Sequence, residues 1–297
     1  MIDPQELSRA VPGTYDFAES AAYSTPEYVE FYGVPPHGET SGARTWFARA
    51  QHYVVAYSEV EPGAELVHDD PDEHIVILPD RSTTIDITTA DGPTRIDGYT
   101  LTIVPPGDSS ISVVGSGRLI QIFTSLTPDL VERCPNADSY ATPHANVAAL
   151  EPWPDPVGGF KLRSYSLDVA DEPGRFGKLF RSTKVMVNFL DGHHGPRDPT
   201  KLSPHSHDDF EQCSLVLAGD WVHHIRWPWT SNLADWIEDH HRRIGAPSVT
   251  VIPPPAIHTS QSIDPGHNQL LDFFSPPRRD LSETPGWVLN ADDYPMP

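Results

Sequence analysis

The hydrophobic positions of this chain fall in short runs, and proline and glycine residues separate one run from the next. Short runs rich in β-branched and aromatic residues, bounded by turn residues, predict β-strands. Many such strands in succession are typical of an all-β sandwich or barrel. The predicted strands cover residues 52–60, 74–78, 83–88, 100–104, 118–124, 179–190, 212–217, 248–252 and 269–274.

Helical patterning is confined to two segments. In residues 231–243, Ser231 or Asn232 can cap a helix of about three turns that carries apolar residues such as Leu233 and Trp236 on one face. A second, shorter helix is predicted over residues 26–32. The hydrophobic pattern therefore predicts a nearly all-β protein with one short helical insertion in its second half.

An internal repeat indicates two similar β domains. Residues 102–106 (TIVPP) match residues 250–254 (TVIPP), and residues 119–124 (LIQIFT) match residues 270–275 (LLDFFS). Upstream of these blocks, residues 68–73 (HDDPDE) resemble residues 207–211 (HDDFE), with one extra residue in the first copy. Because three matched blocks occur in the same order, we interpret them as a duplication, joined by a Pro-, Ala- and Asp-rich linker.

Composition excludes several classes of partner. The formal net charge of −22 would repel nucleic acid and anionic membranes. No run approaches the roughly 20 apolar residues that span a bilayer. The N-terminus lacks a basic and then apolar leader, and the two cysteines are too few for a disulfide scaffold. We therefore expect a cytoplasmic protein whose partner is neither nucleic acid nor a membrane, and composition does not identify that partner further.

The chemistry-bearing stretch is residues 204–211 (PHSHDDFE). Residues two apart on a strand point to the same face, so His205 and His207 can converge on one metal ion. After a short turn, Glu211 can bring a carboxylate to that face. A further ligand must come from elsewhere, and His258 follows a stiff triple-proline corner. The alternative is a polar loop with solvated histidines. We favour metal binding because a glutamate follows the histidine pair at a suitable spacing, a further histidine follows the proline corner, and the surrounding sequence is β-rich.

These motifs resemble those of the cupin superfamily, and the two repeats resemble a bicupin. The first cupin motif has an HxH pair, a Glu and a later Gly, matched by His205, His207, Glu211 and Gly219; the second ends in a His, matched by His258. Gly219 comes one residue late, and Pro255 replaces the turn glycine. The resemblance implies two jelly-roll barrels in tandem, and it implies one divalent transition metal per chain held by His205, His207, Glu211 and His258.

The domain boundaries expected from the resemblance are an N-terminal arm over residues 1–45, a degenerate cupin barrel over 46–133, a linker over 134–177 and a metal-binding cupin barrel over 178–297. Ser110 stands where the first barrel would need its third histidine, so we expect that barrel to be free of metal. The alternative is a residual site at His68, Glu73 and His74. Cupins often pair by exchanging N-terminal segments, which would give residues 1–45 a role in a homodimer.

Candidate catalytic residues lie on the strand after Gly219. One of His223 and His224 must face inward, and Arg226 shares the face of His224. We take His224, Arg226 and Gln212 as catalytic candidates, against the alternatives that the inward histidine is only packed and that Gln212 only bonds Glu211 or has no role.

The resemblance implies an enzyme that acts on a small-molecule substrate, and with a non-catalytic alternative three functions are compatible with it. Few cations surround the predicted site, which favours a dioxygenase of a small phenolic or enolic substrate, with Fe(II) as the preferred metal and Mn, Ni, Cu, Co or Zn as alternatives. The second function is a non-redox isomerase, decarboxylase or lyase of a small sugar acid or carboxylate. The third is a small-ligand-binding protein without catalysis.

Overall fold

The computed structural model describes residues 23–170 and 172–297 and is almost entirely β. In chain order the strands are β1 (Glu27–Glu30), β2 (Gly38–Thr40), β3 (Ala43–Arg49), β4 (Tyr53–Val60), β5 (Glu65–Asp70), β6 (His74–Leu78), β7 (Thr84–Thr89), β8 (Gly92–Ile96), β9 (Thr100–Val104), β10 (Gly107–Gly115), β11 (Gly117–Thr124), β12 (Arg163–Ser166), β13 (Lys178–Arg181), β14 (Met186–Phe189), β15 (His193–His194), β16 (Glu211–Ala218), β17 (Asp220–Arg226), β18 (His240–Gly245), β19 (Ser248–Ile252), β20 (Ile257–Ser262) and β21 (His267–Ser275).

Helices are short in the part of the chain that the structure describes. They are α1 (Pro128–Glu132) and α2 (Arg279–Ser282), with single 3₁₀ turns at Ala137–Tyr140 and Leu233–Asp235. None of them is long and apolar enough to cross a membrane.

The strands form two barrels, each made of a large and a small antiparallel sheet. In the first barrel the large sheet has the order β12-β9-β6-β11-β4-β3-β2, and the small one has the order β5-β10-β7-β8. In the second barrel the large sheet has the order β1-β19-β16-β21-β14-β13, with β15 also paired to β21, and the small one has the order β18-β17-β20. The predicted all-β tandem of jelly-roll barrels is confirmed.

Each barrel contains strands from outside its predicted stretch of sequence, and in the first barrel these include β2 of the predicted arm. β1, from the N-terminal arm, pairs with β19 of the second barrel. β12, from the segment predicted as a linker, pairs with β9 of the first barrel. Strands therefore cross the predicted domain boundaries in both directions, and this exchange within the chain links the two barrels.

The sequence repeat coincides with equivalent strands. The TIVPP block begins within β9 and the TVIPP block within β19, and these strands pair with β6 and β16 respectively. His74 opposes Val104 in the first barrel, as Gln212 opposes Ile252 in the second. His74 and Gln212 therefore occupy matching positions.

The two large sheets pack face to face. Ile75 and Ile77 of β6 belong to the same buried cluster as Leu215 of β16 and Leu271 of β21. Residues that alternate with these point the other way, into the barrel that their own sheet encloses. Each inner strand of a large sheet is therefore buried on both faces, and only one of its faces can serve a site inside the barrel.

Both helix predictions are wrong where the structure tests them. Residues 26–32 contain β1, because an edge of the second barrel accepts this segment as a strand. Residues 231–243 contain only the 3₁₀ turn, capped by Asn232, before β18 pairs with β17. A long-range partner strand replaces the helix in both segments, and a local pattern cannot reveal such a partner.

Candidate metal centre

His205 and His258 are joined by an isolated antiparallel bridge. The amide nitrogen of His205 donates to the carbonyl oxygen of His258 at 3.0 Å, and the reverse bond measures 2.8 Å. Directly opposed residues place their side chains on one face, and the two ring centroids lie 4.5 Å apart. The His207 ring lies 5.0 Å from that of His205 and 5.1 Å from that of His258. One nitrogen from each of the three rings lies within 4.8 Å of the others.

Backbone carbonyls orient two of these rings. The Nδ1 atom of His258 lies 2.9 Å from the carbonyl oxygen of Ala256, and Nδ1 of His205 lies 2.9 Å from that of Ser203. A carbonyl oxygen only accepts, so each Nδ1 donates its hydrogen and each Nε2 keeps a free lone pair. Histidines that ligate metals are commonly oriented in this way.

Burial keeps two of the histidines neutral. Desolvation, with the nearby His258 as a second cause, lowers the pKa of His207 to about 3. Desolvation, followed by the charge of His205, lowers the pKa of His258 to about 4. At neutral pH both imidazoles therefore offer lone pairs, which is the form that binds a metal.

Glu211 does not join this cluster, and here the structure departs from the sequence prediction. Its Oε2 accepts a hydrogen bond from the backbone nitrogen of Gln51 at 2.6 Å, and its Oε1 lies 3.0 Å from Nδ1 of His144. Glu211 alternates with Gln212 on β16, so it shares the face of Cys213, which packs between the barrels. The carboxylate therefore points away from the three imidazoles.

Glu73 makes the matching contact from the first barrel. Its Oε2 accepts from the backbone nitrogen and Oγ1 of Thr183 at 3.3 and 3.1 Å, and its Oε1 accepts from the Tyr294 hydroxyl at 2.6 Å. Thr183 lies in the β13–β14 turn and Gln51 in the β3–β4 turn, so each carboxylate bonds a hairpin turn of the other barrel. The repeated glutamates thus link the two barrels.

Gln212 takes the place expected for Glu211. Its Oε1 lies 2.9 Å from Nε2 of His207 and 3.2 Å from Nε2 of His258. One sequence feature could have revealed this. Counted from Glu211, Gly219 comes one residue later than the cupin motif requires, whereas counted from Gln212 it has the usual spacing. Gln212 therefore lies in the histidine cluster itself and not beside a Glu211 ligand, and its catalytic role stays a prediction.

A buried carboxyl group supports Gln212 from behind. Oδ1 of Asp272 accepts from Nε2 of Gln212 at 3.0 Å and from Oγ of Ser214 at 2.6 Å. Desolvation raises the pKa of Asp272 to about 6, opposed by the Ser214 hydrogen bond. Sequence analysis missed this residue, although it aligns with Gln121 of the first repeat and is an unusual acidic residue in an apolar strand.

On β17 the inward histidine is His223, and His224 faces outward. His223 is fully buried, its Nδ1 lies 2.9 Å from Oγ of Ser260, and its Nε2 has no hydrogen-bond partner among the described residues. His224 instead contacts His241, with 2.7 Å between their Nδ1 atoms. Trp221 and Ile225 share the buried face of His223, and this apolar alternation could have identified the inward residue.

Arg226 lies outside the site, on the exposed face that it shares with His224. Its Nε donates to the carboxylate of Asp239 at 3.0 and 2.9 Å, which gives a surface ion pair. The structure therefore does not bring His224 and Arg226 to the histidine cluster, because both follow the outward phase of β17.

The cluster opens into a cavity of about 370 Å³. His205, Gln212, His258 and Asp272 line one side of it. The remaining wall combines apolar and polar side chains, among them Phe176, Leu190, Trp221, Leu270, Asp191, His193, Arg197, Thr259 and Ser260.

In the first barrel, the matching position holds fewer ligands. His74 stands at the position of Gln212. The Nε2 atom of His68 lies 3.0 Å from the Nε2 atom of Gln121. Glu73 faces the second barrel, so it does not complete the residual site considered from the sequence. Among the described residues, the three-histidine group occurs in the second barrel. That the first barrel carries no metal stays a prediction.

The residues of the cluster fit a divalent cation. Nε2 of His258 carries a lone pair, because its Nδ1 hydrogen is used by Ala256. That lone pair faces Oε1 of Gln212, which also only accepts, at 3.2 Å. Two acceptors that face each other at this distance repel, and a cation between them turns the repulsion into two attractive contacts.

Comparison with solved structures agrees with this architecture. AerE from Microcystis aeruginosa superposes with a TM-score of 0.53 at 9% sequence identity, over 86% of this chain and 99% of that one. A point mutant of oxalate decarboxylase OxdC from Bacillus subtilis gives a TM-score of 0.53 at 13% identity, over 92% of this chain and 84% of that one. Both neighbours are bicupins. The chain has the bicupin fold.

Sequence comparison adds nothing to this assignment. No protein-family model matches this chain, and no curated protein matches it either. A further structure of the Bacillus enzyme, described by its Mn(II) centres, gives a TM-score of 0.51 at 14% identity, over 92% of this chain and 84% of that one. At such identities the likeness concerns the fold alone.

Proposed function

We propose that the second barrel binds one divalent transition metal through His205, His207 and His258, and that the protein is a metal-dependent dioxygenase. The observation that carries the proposal is the convergence of three imidazoles without an acidic side chain among them. Imidazole donors suit Fe, Ni, Cu, Co and Zn, and Mn remains an alternative. We prefer Fe(II), because chemistry with dioxygen needs a redox-active ion.

Three protein donors leave positions open on a six-coordinate ion. When bound, the ion would act as a Lewis acid toward substrate oxygen atoms and, as iron, would bring dioxygen beside them. A substrate with two adjacent oxygens, such as an enolate or a phenolate with a neighbouring carboxylate, fits open positions of this kind. Its negative charge would also compensate a cation that the three imidazoles leave uncompensated.

The cavity supports a substrate of small size. Its volume of about 370 Å³ is at the small end of the range for ligand pockets. Trp221, Leu190 and Leu270 offer an apolar wall to the carbon skeleton. Arg197 donates to the carbonyl oxygen of Ser260 at 3.0 Å, which holds its guanidinium at the cavity wall, where it could bind a substrate anion.

The second candidate is a non-redox decarboxylase of a small carboxylate. Its support is the likeness in fold to oxalate decarboxylase, a neighbour whose Mn(II) centres are named in its description. A third candidate, ligand binding without catalysis, needs the same cavity and metal. A cytoplasmic location and a homodimer built through residues 1–45 stay predictions.

Oxygen consumption separates these functions. The purified protein is analysed for metal, loaded anaerobically with Fe(II) and mixed with catecholic or enolic carboxylates in an oxygen electrode. A dioxygenase consumes one O₂ per product, and His205→Ala treated in the same way consumes none. Turnover of a carboxylate under strict anaerobiosis would replace this proposal by the decarboxylase. Ligand-induced stabilisation with no product from any candidate would favour the binding protein.

A further inference from the structure

The amide of Gln212 has a fixed orientation. Oδ1 of Asp272 makes hydrogen bonds to Nε2 of Gln212 at 3.0 Å and to Oγ of Ser214 at 2.6 Å. Nε2 also donates to Oγ of Ser214 at 3.2 Å. An amide turned by 180° would set its oxygen against an acceptor in this buried place, so these bonds hold Oε1 on the opposite side, toward the histidines.

This oxygen lies at hydrogen-bond distance from two imidazole nitrogens, and the same spacing fits a metal ligand. Oε1 lies 2.9 and 3.2 Å from Nε2 of His207 and of His258. Two ligand atoms that are each about 2.1 Å from an ion and at right angles to one another are about 3 Å apart. Oε1 therefore has the spacing of a neighbouring donor from each of these two nitrogens, as it would round a single ion.

The alternatives for this position are excluded by contacts within the chain. Glu211 is engaged with Gln51 and His144 on the other face of β16. Asp272 lies behind Gln212, whose amide nitrogen donates to it, and it is not part of the group of nitrogen atoms that converge. Gln212 is thus the side chain whose oxygen stands among the imidazoles.

From this geometry we infer that Oε1 of Gln212 is the fourth protein ligand of the metal and that Asp272 is the residue that positions it. The inference rests on the proposed metal site and names a ligand that differs from the carboxylate expected from the motif. Its consequence is a donor set of three imidazoles and one amide, with no formal charge. The nearest carboxylate is then Asp272, which lies behind Gln212 and is not itself a ligand, so the ligands leave the charge of the ion uncompensated and favour a chelating anion over a neutral molecule.

The test uses Co(II), whose visible spectrum responds to the number and type of its ligands. Co(II) affinity, measured by competition with a coloured chelator, and the Co(II) spectrum are compared for the wild type, Gln212→Ala and Glu211→Gln. We expect Gln212→Ala to bind one ion with about 10- to 100-fold lower affinity and an altered spectrum, while Glu211→Gln keeps the wild-type affinity and spectrum.

Two further variants separate ligation from a general loss of packing. The double variant Gln212→Glu/Asp272→Asn keeps the volume of both side chains and avoids two facing carboxylates. We expect it to bind Co(II) more tightly than the wild type, with a changed spectrum. Asp272→Asn alone keeps an acceptor for Gln212 and should retain the wild-type spectrum, whereas Asp272→Ala, which frees the amide, should lose it.

The outcomes separate this inference from the proposed function. A wild type that binds no Co(II) would overturn both. A wild type that binds Co(II), together with a Gln212→Ala variant of unchanged affinity and spectrum, would overturn the role of Gln212 and leave the three-histidine site in place. A spectrum that changes in Glu211→Gln and not in Gln212→Ala would restore the carboxylate ligand.

Discussion

Glu211 and Gln212 are neighbours in the sequence, and their side chains serve opposite faces of β16. The Glu211 carboxylate bonds the backbone of Gln51 in the other barrel at 2.6 Å, while the Gln212 amide oxygen lies 2.9 Å from His207 inside its own barrel. One residue of strand therefore separates a contact that joins the barrels from a contact that belongs to the site.

The first prediction concerns the histidines. We expect His205→Ala and His258→Ala to abolish stoichiometric metal binding while the fold stays intact. His205 is exposed, so between the metal-free proteins its removal should change the free energy of unfolding by no more than about 0.5 kcal/mol. Elemental analysis of the purified variants, beside circular dichroism, measures both effects. Full metal content in both variants would contradict the site.

The second prediction concerns the glutamates between the barrels. Glu211→Ala leaves the Gln51 amide and His144 without their partner in a buried place, so we expect a loss of about 2–4 kcal/mol in the free energy of unfolding. Glu73→Ala removes the matching contact and should cost a similar amount. Urea unfolding measures both, and metal content should be unchanged in each. Metal loss in Glu211→Ala without loss of stability would show that this carboxylate is a ligand after all.

The third prediction concerns the outward face of β17. His224→Ala and Arg226→Ala should leave metal content unchanged, because both side chains lie outside the cavity. The Arg226–Asp239 pair is a surface ion pair that solvent screens, so its loss should change the free energy of unfolding little. His223→Ala is the comparison variant, since it removes a fully buried ring and should cost clearly more. Equal effects of His223→Ala and His224→Ala on unfolding would refute the assignment of faces.

The fourth prediction concerns stability in acid. Burial, and then the charge of His74, lowers the pKa of His68 to about 4, while Asp70 and Asp129 oppose the shift. An unfolded histidine titrates near about 6.5, so the unfolded chain takes up this proton first as the pH falls. The stabilising effect of the neutral ring is complete above that pH, declines between about 6.5 and 4, and declines no further below.

The size of this decline follows from the shift. At about 1.4 kcal/mol per pH unit it approaches roughly 3 kcal/mol for His68. We expect His68→Gln, which cannot take up the proton, to lose less stability than the wild type between about pH 7 and pH 4.5. Urea midpoints at several pH values measure the difference. Parallel pH profiles for the two proteins would contradict the assignment.

Much of the fold could be predicted because its information is local. Strands such as β6 and β19 are short apolar runs between turn residues, and they were found with their observed bounds. The repeat located the two barrels because the same strand occurs at matching positions in each. The segments over 26–32 and 231–243 were misassigned, since β1 and β18 are strands only through partners far away in the sequence.

By itself the sequence determined that the chain forms two similar β barrels, and it determined which stretch brings His205 and His207 to meet His258. Only the tertiary structure decided which face of each strand looks into the barrel. In a bicupin both faces of an inner strand are buried, one against its own barrel and one against the other barrel. The spacing to Gly219 points to Gln212, and the apolar alternation of β17 points to His223. The polar side chains of Glu211 and Gln212, however, suit either buried face of β16, and only the packing of one large sheet on the other decides between them.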